Sequence, residues 1–390
     1  MKKKVALIGL NTFENLGDQV LCDSTNYLIE QCGCEYEVAH VNQYPPIRKK
    51  NILKPNNLIY CIVCVINRIL AKIIKSKKLF NKLELLAWKI RLFGYYQKAL
   101  KGMDAAILAG GTIKYSNQGV NYAYEFAVKQ AEKYNIPFMF NAMSIEPFDG
   151  NDSRCIRLQK VLNSNSVKVI STRDGENGVG ELKRNYLYNK DVLVFAVGDP
   201  AFWASEVYKI KKKNSDKIGV GLIRADIFKM YGRETTPTRV RKFYENLAGK
   251  LTEENVNWSF FSNGLEVDQV EGERIVDSLN LSRQCIERKP KSTKELVEVI
   301  SEYKCIIGAR MHSQILAYAL NIPMVGIDWD NKIVQFFNNS HCSKWLISEE
   351  ELEAELVLKR LLDNIQYDEE RMFELKNATL NAIKIFLTMC

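Results

Sequence analysis

At 390 residues the chain exceeds one domain of ordinary size and sits near the length of two. With 46% hydrophobic, 26% charged and 10% aromatic residues it can fill two cores, which excludes a disordered chain, a fibrous one and a disulfide-stapled miniature. The net charge of +9 is local: Arg48 to Lys101 holds 14 basic residues and one acid, Glu84, so that segment carries +13 and the rest −4.

Met1-Lys2-Lys3-Lys4 runs directly into Val5–Gly9, which has strand length and no cleavage site, so the chain reads as cytoplasmic. Further strands are expected at 36–41, 105–109, 137–142, 167–171 and 192–197, with helical periods between them. A polar, lysine-rich passage at 205–217 reads as an interdomain linker. A second series follows, with strands at 218–222, 258–262, 305–308 and 324–327 and helices near 238–253, 265–280, 292–303 and 313–321. Ser292 and Glu295 form a capping box. The C-terminal helical stretch, Glu349 to Leu387, is expected to pack on the second domain, with a return to the first as an option. The fold class is therefore α/β, with two Rossmann-like domains facing a central cleft: 1–205, carrying a basic insertion at 51–101, and 217–390.

The insertion opens with the apolar run Leu58–Ile66, under half a membrane span, and continues with leucines and aromatics among lysines, as in a basic helical hairpin. Two readings stand side by side. The hairpin lies on anionic lipid at the inner face of the membrane, or it packs on its own domain with solvated lysines. Nucleic acid is not expected, since no stacking motif accompanies the charge. The ten cysteines read as reduced small hydrophobes, and three histidines with a single Cys-x-x-Cys give no basis for a metal site.

The sharpest constellation is Gly308-Ala309-Arg310-Met311-His312-Ser313, where a strand ends and a helix begins. Such carboxyl-end turns of parallel sheets bind ligands. An arginine there offers a fork for carboxylate or phosphate, beside the donors of a helix start. The competing reading has Arg310 in a structural ion pair and His312 capping the helix. Similar turns hold Asn15-Leu16-Gly17-Asp18, Gly110-Gly111-Thr112, Ser171-Thr172-Arg173-Asp174 and Arg224. No complete dinucleotide fingerprint or phosphate loop follows any strand.

Taken in order with Asp199-Pro200-Ala201-Phe202 and Asp328-Trp329-Asp330-Asn331-Lys332, these motifs resemble the polysaccharide pyruvyl transferases over roughly Val5 to Phe337. The resemblance implies a GT-B-like fold. It also implies transfer of the pyruvyl unit of phosphoenolpyruvate, a co-substrate rather than a cofactor, to two hydroxyls of one sugar in a surface polysaccharide or its lipid-linked precursor. It suggests Arg224, Arg310 and His312 as donor-binding residues, to which Ser313 and Lys332 are added, with Asn15, Asp18, Gly110, Gly111 and Arg173 on the acceptor side. His312 suits a proton donor near neutral pH, assisted by Arg310, and Asp18 and Glu146 are candidate bases. Glu146 stands in Ser144-Ile145-Glu146-Pro147-Phe148, where the family tends to carry glycine. The alternative function is a GT-B glycosyltransferase using a nucleotide sugar.

Overall fold

The computed structural model describes residues 2–11, 15–33, 35–45, 77–363 and 365–390, with backbone alone at 77–84 and 87. Within them, two parallel sheets stand on either side of a cleft. The first is ordered β2-β1-β3-β5-β6-β7, from β1 (Lys3–Gly9), β2 (Tyr36–Asn42), β3 (Ala105–Ala109), β5 (Phe138–Ile145), β6 (Val167–Thr172) and β7 (Leu193–Ala196). A two-residue strand, β4 (Thr112–Ile113), pairs with the end of β5. The second sheet is ordered β12-β11-β10-β8-β9, from β8 (Ile218–Gly221), β9 (Trp258–Phe261), β10 (Cys305–Gly308), β11 (Met324–Ile327) and β12 (Leu346–Ile347).

Continuous apolar runs such as Val5–Ile8 and Cys305–Ile307 become strands here because helices cover both faces of each sheet, so neither side alternates with polar residues. Strand order then decides where ligands can enter. In the first sheet β1 lies between β2 and β3, and in the second β8 lies between β9 and β10. Chain direction across the sheet reverses at those points, leaving a crevice at the carboxyl ends. The turns after β1 and β3 hold Asn15–Asp18 and Gly110–Gly111, and those after β8 and β10 hold Arg224 and Arg310. Each sheet thus contributes two neighbouring motif turns to the cleft.

Of the expected linker, 204–208 is a short helix and 209–217 has no regular structure before β8. The last helix, Glu369–Thr388, returns to the first sheet. Its Ala382, Ile383, Phe386 and Leu387 bury against Val5, Leu7, Leu28, Ile29 and Val169, and the Gly198 N–H donates to the Leu375 carbonyl. The expected hairpin at 51–101 is represented by one helix, Lys77–Leu100; residues 46–76, with the Leu58–Ile66 run, lie outside the described residues. Among the described residues no helix is long and apolar enough to cross a membrane.

Candidate active site

On the second domain the centre of the site is a buried carboxylate that the motifs did not single out. Asp268, in the first turn of helix Glu266–Ser278, is 0% exposed. It accepts both Nε and Nη2 of Arg310, each at 2.8 Å. The Arg224 N–H donates to the same carboxylate at 2.9 Å. One acid therefore fixes the side chain after β10 and the backbone after β8, and the fork of Arg310 is oriented before any ligand arrives. The helix carries an unusual signal: Asp268, Gln269 and Glu271 are buried while Val267 and Val270 are exposed, the reverse of ordinary amphipathicity.

Arg224 has a buried Nε with no hydrogen bond among the described residues; it lies 3.3 Å from Asp226 Oδ1, outside hydrogen-bond geometry. Lys332 pairs with Asp330 at 3.0 Å and lies 5.5 Å from the Trp329 ring, over which Arg310 also sits at 5.8 Å. The Trp329 indole N–H donates to the Ala309 carbonyl at 2.6 Å, which ties the Asp328–Lys332 turn to the Arg310 turn. Ser313, expected as a donor ligand, gives its hydroxyl to the Arg310 carbonyl at 2.6 Å and is fully buried, so it closes the helix start instead of facing the cleft.

His312 joins the two domains. Its Nδ1 lies 3.7 Å from Asp18 Oδ1, and its Nε2 is buried with no hydrogen-bond partner among the described residues. Gly17 makes this approach possible, because a Cβ at that position would stand 2.4 Å from the His312 Cβ and 2.7 Å from Nδ1. Burial lowers the His312 pKa from its ordinary value; Asp18 and Asp199 oppose that shift, and Arg173 and Lys332 reinforce it. Asp18 also accepts from Asn15 Nδ2 at 2.9 Å, and the Leu16 N–H at the helix start donates across the cleft to the Asn263 carbonyl at 3.1 Å. Unsatisfied buried polar atoms gather on this seam: Asn15 Oδ1, Asn263 Nδ2, His312 Nε2 and Arg224 Nε. Such groups are rare in folded proteins, and a cluster of them marks where a ligand's polar atoms belong.

The remaining expected site residues make contacts within the first domain. Arg173 is buried and ion-paired with Asp199, donates to Ser144 Oγ at 3.0 Å and reaches the Gly111 carbonyl at 3.5 Å. It braces three turns of the first domain, and its guanidinium is spent on protein partners. Glu146 accepts from the Ser116 N–H at 3.0 Å, which fixes the 114–117 loop. Gly110 and Gly111 adopt φ of +64° and +106°, and a Cβ on Gly110 would stand 2.4 Å from Leu21. They turn the chain off β3 into β4. A small cavity between the domains is bordered by Arg173, Asp174, Asp199, Met311 and Lys332.

Known structures share this fold. UDP-GlcNAc 2-epimerase from Methanocaldococcus jannaschii matches with TM-score 0.61 and 13% identity over 100% of both chains. S. aureus MnaA in a UDP co-structure gives 0.58 and 12% over 100% of this chain and 98% of that one. The UDP-GlcNAc 2-epimerase of Neisseria meningitidis gives 0.57 and 12% over 100% of both. At these identities the likeness concerns the fold alone, the GT-B arrangement of two Rossmann-like domains about a cleft. No curated protein sequence matches the chain significantly. The family model for polysaccharide pyruvyl transferase spans residues 15–331, from the Asn15 turn that meets His312 to the start of the helix carrying Lys332, and so covers every turn that forms this cleft: the chain belongs to that family.

Proposed function

We propose that this protein transfers the pyruvyl unit of phosphoenolpyruvate onto two hydroxyls of one sugar, forming a ketal and releasing phosphate. The observation that carries the reading is the convergence of Arg310, oriented by Asp268, with Arg224 and an unpartnered His312 Nε2 on one sheet edge. A donor with a carboxylate and a phosphate on one carbon needs two or more cations at fixed separation, and the turns after β8 and β10 supply them from adjacent strands.

In this reaction C3 of the donor takes a proton and C2 takes the first sugar oxygen. The C2–O bond to phosphate breaks, and the second sugar oxygen closes the ring. Of the two hydroxyl protons, one ends on the new methyl group and the other leaves with phosphate, so nothing else is consumed. His312 fits the proton-carrying role once the donor is bound: an anionic phosphate at Nε2 raises the proton affinity that burial lowers. Asp18, facing the same imidazole, is the candidate acceptor for a hydroxyl proton. Incubating the full-length protein with phosphoenolpyruvate and a lipid-linked oligosaccharide tests the reading. The expected outcome is release of phosphate and a product heavier by pyruvate less one water; turnover with a nucleotide sugar instead refutes it.

A lipid-linked acceptor also fits the outer surface of the first domain. Helix Lys77–Leu100 exposes Leu86, Ile90 and Phe93 by 53%, 65% and 41%, an i, i+4, i+7 stripe. Such a face suits the surface of an anionic bilayer. Co-sedimentation with anionic vesicles, weakened by salt and by Leu86→Ser with Ile90→Ser, is the expected result, and no binding at low salt removes this part of the proposal.

A further inference from the structure

The cations of the second domain that face the cleft come already neutralised. Arg310 is paired with Asp268, Lys332 with Asp330, and Arg224 stands 3.3 Å from Asp226. Phosphoenolpyruvate brings roughly −2.5 to −3 at neutral pH, from one carboxylate and one phosphate monoester. Ion pairs give this edge its geometry but little net attraction for such a ligand, so a further positive charge is wanted.

The first domain carries one at the right place. The Gly110–Gly111 turn leads into β4, whose Thr112 and Ile113 pair with Ser144 and Ile145 at the end of β5, and Lys114 follows at once. The loop is pinned from two sides, by Glu146 on the Ser116 N–H and by Arg154 Nη1 on the Ser116 carbonyl at 3.2 Å. Lys114 Nζ consequently reaches across the cleft to 5.7 Å from the ring centre of Tyr231, a second-domain residue that is 43% exposed. Tyr231 packs edge-on against Trp329 at 4.9 Å, and Lys332 Nζ lies 6.0 Å from the same tyrosine ring. Arg310, Lys332 and Lys114 thus share one aromatic wall. Among the described residues Lys114 has no carboxylate within ion-pair distance, and an exposed cation–π contact is weak enough to be exchanged for a phosphate.

We infer that Lys114 is a donor-binding residue supplied by the first domain: its ammonium group pairs with the phosphate of phosphoenolpyruvate seated on the Arg224–Arg310 edge, so the donor is gripped from both sides of the cleft. This rests on the proposed function and adds a cross-domain contact that the motifs did not suggest. It also gives Gly110, Gly111 and Glu146 a common purpose, which is to present Lys114.

The test uses the full-length protein and phosphoenolpyruvate itself, by calorimetric titration and steady-state kinetics. Lys114→Met should weaken donor binding about tenfold to a hundredfold, the worth of one charge-assisted hydrogen bond. It should raise KM for the donor, leave KM for the saccharide unchanged and reduce the salt dependence of binding. Lys114→Arg should restore most of the affinity, and the melting temperature of both variants should match the parent. Unchanged donor affinity in Lys114→Met, or an effect confined to the saccharide KM, overturns the inference while the proposed function stands. A parent protein that binds no phosphoenolpyruvate overturns both.

Discussion

An arginine that merely pointed into a cleft could be removed at no cost to the fold, but Arg310 is not of that kind. Its side chain is 15% exposed, and the carboxylate it grips with two bonds of 2.8 Å is 0% exposed. Arg310→Ala leaves Asp268 with the Arg224 N–H as its remaining donor. Removing one member of a buried pair costs about 3–5 kcal/mol; the retained N–H and the opening toward the cleft place the expected loss near the lower end, about 3 kcal/mol. For a domain of this size that corresponds to a fall of roughly 6–12 °C in the second domain's melting temperature. Scanning calorimetry of Arg310→Ala, Asp268→Asn and the double variant measures it. The double variant should lose clearly less than the sum of the singles, because the second substitution removes an already stranded partner, while donor binding stays lost in all three. Arg310→Ala melting with the parent, or strictly additive single losses, would refute the claim that Asp268 orients the donor edge.

Gly17→Ala should cost about 1–3 kcal/mol and most of the activity, since its Cβ would stand 2.4–2.7 Å from three atoms of His312; activity and melting temperature measured together check it. His312 has a folded pKa lowered by burial, so below its unfolded value of about 6.5 the unfolded chain holds the extra proton. Its contribution to stability is complete above that pH and is lost as pH falls toward the folded value, and His312→Gln should flatten this slope in urea melts between about pH 5 and about pH 8. Donor binding to the parent should take up more protons than binding to His312→Gln, read from calorimetry in buffers of different ionisation enthalpy. Glu146→Gln should raise the donor KM more than it lowers kcat, because the residue acts through the loop that carries Lys114.

The elements legible in the sequence are those that a helix layer buries on both faces. Ala105–Ala109, Cys305–Gly308 and Met324–Ile327 are short apolar runs bounded by polar or turn residues, and their limits coincide with the strands. Strands β4 and β12, two residues each, are shorter than any period can reveal, and they exist because neighbouring strands overrun their partners. The stripe Ala382-Ile383-Phe386-Leu387 announces an amphipathic helix, but only tertiary packing assigns it to the first sheet. At the site, the turns were legible because strand ends and helix starts leave marks in residue type, whereas contacts between turns were not. Asp268 and Arg310 are 42 positions apart, and an acid at a helix start looks the same whether it faces solvent or an arginine. Arg173 shows the converse: a motif arginine at a cleft edge, consumed by Asp199, Ser144 and Gly111.

Orientation and attraction are separate demands on an anion site, and this cleft divides them. Unpaired arginines after β8 and β10 would repel each other and sample many rotamers. Asp268, Asp226 and Asp330 remove the repulsion and, in the first case, fix the fork, at the expense of net potential. Attraction must then come from charges outside the pairs. Lys114 supplies one across the cleft, and the sequence from Arg48 to Lys101 carries a further +13. Charges that the donor does not touch act over a Debye length of about 8 Å at physiological salt, so they govern how fast an anionic donor arrives more than how tightly it is held, whereas Lys114, in contact with the phosphate, also holds it. Salt should therefore slow association of phosphoenolpyruvate more than it speeds dissociation, whereas loss of Asp268 should act chiefly on dissociation. Stopped-flow binding across a salt series separates the two, and equal salt effects on both rates would show that the paired arginines carry the attraction after all.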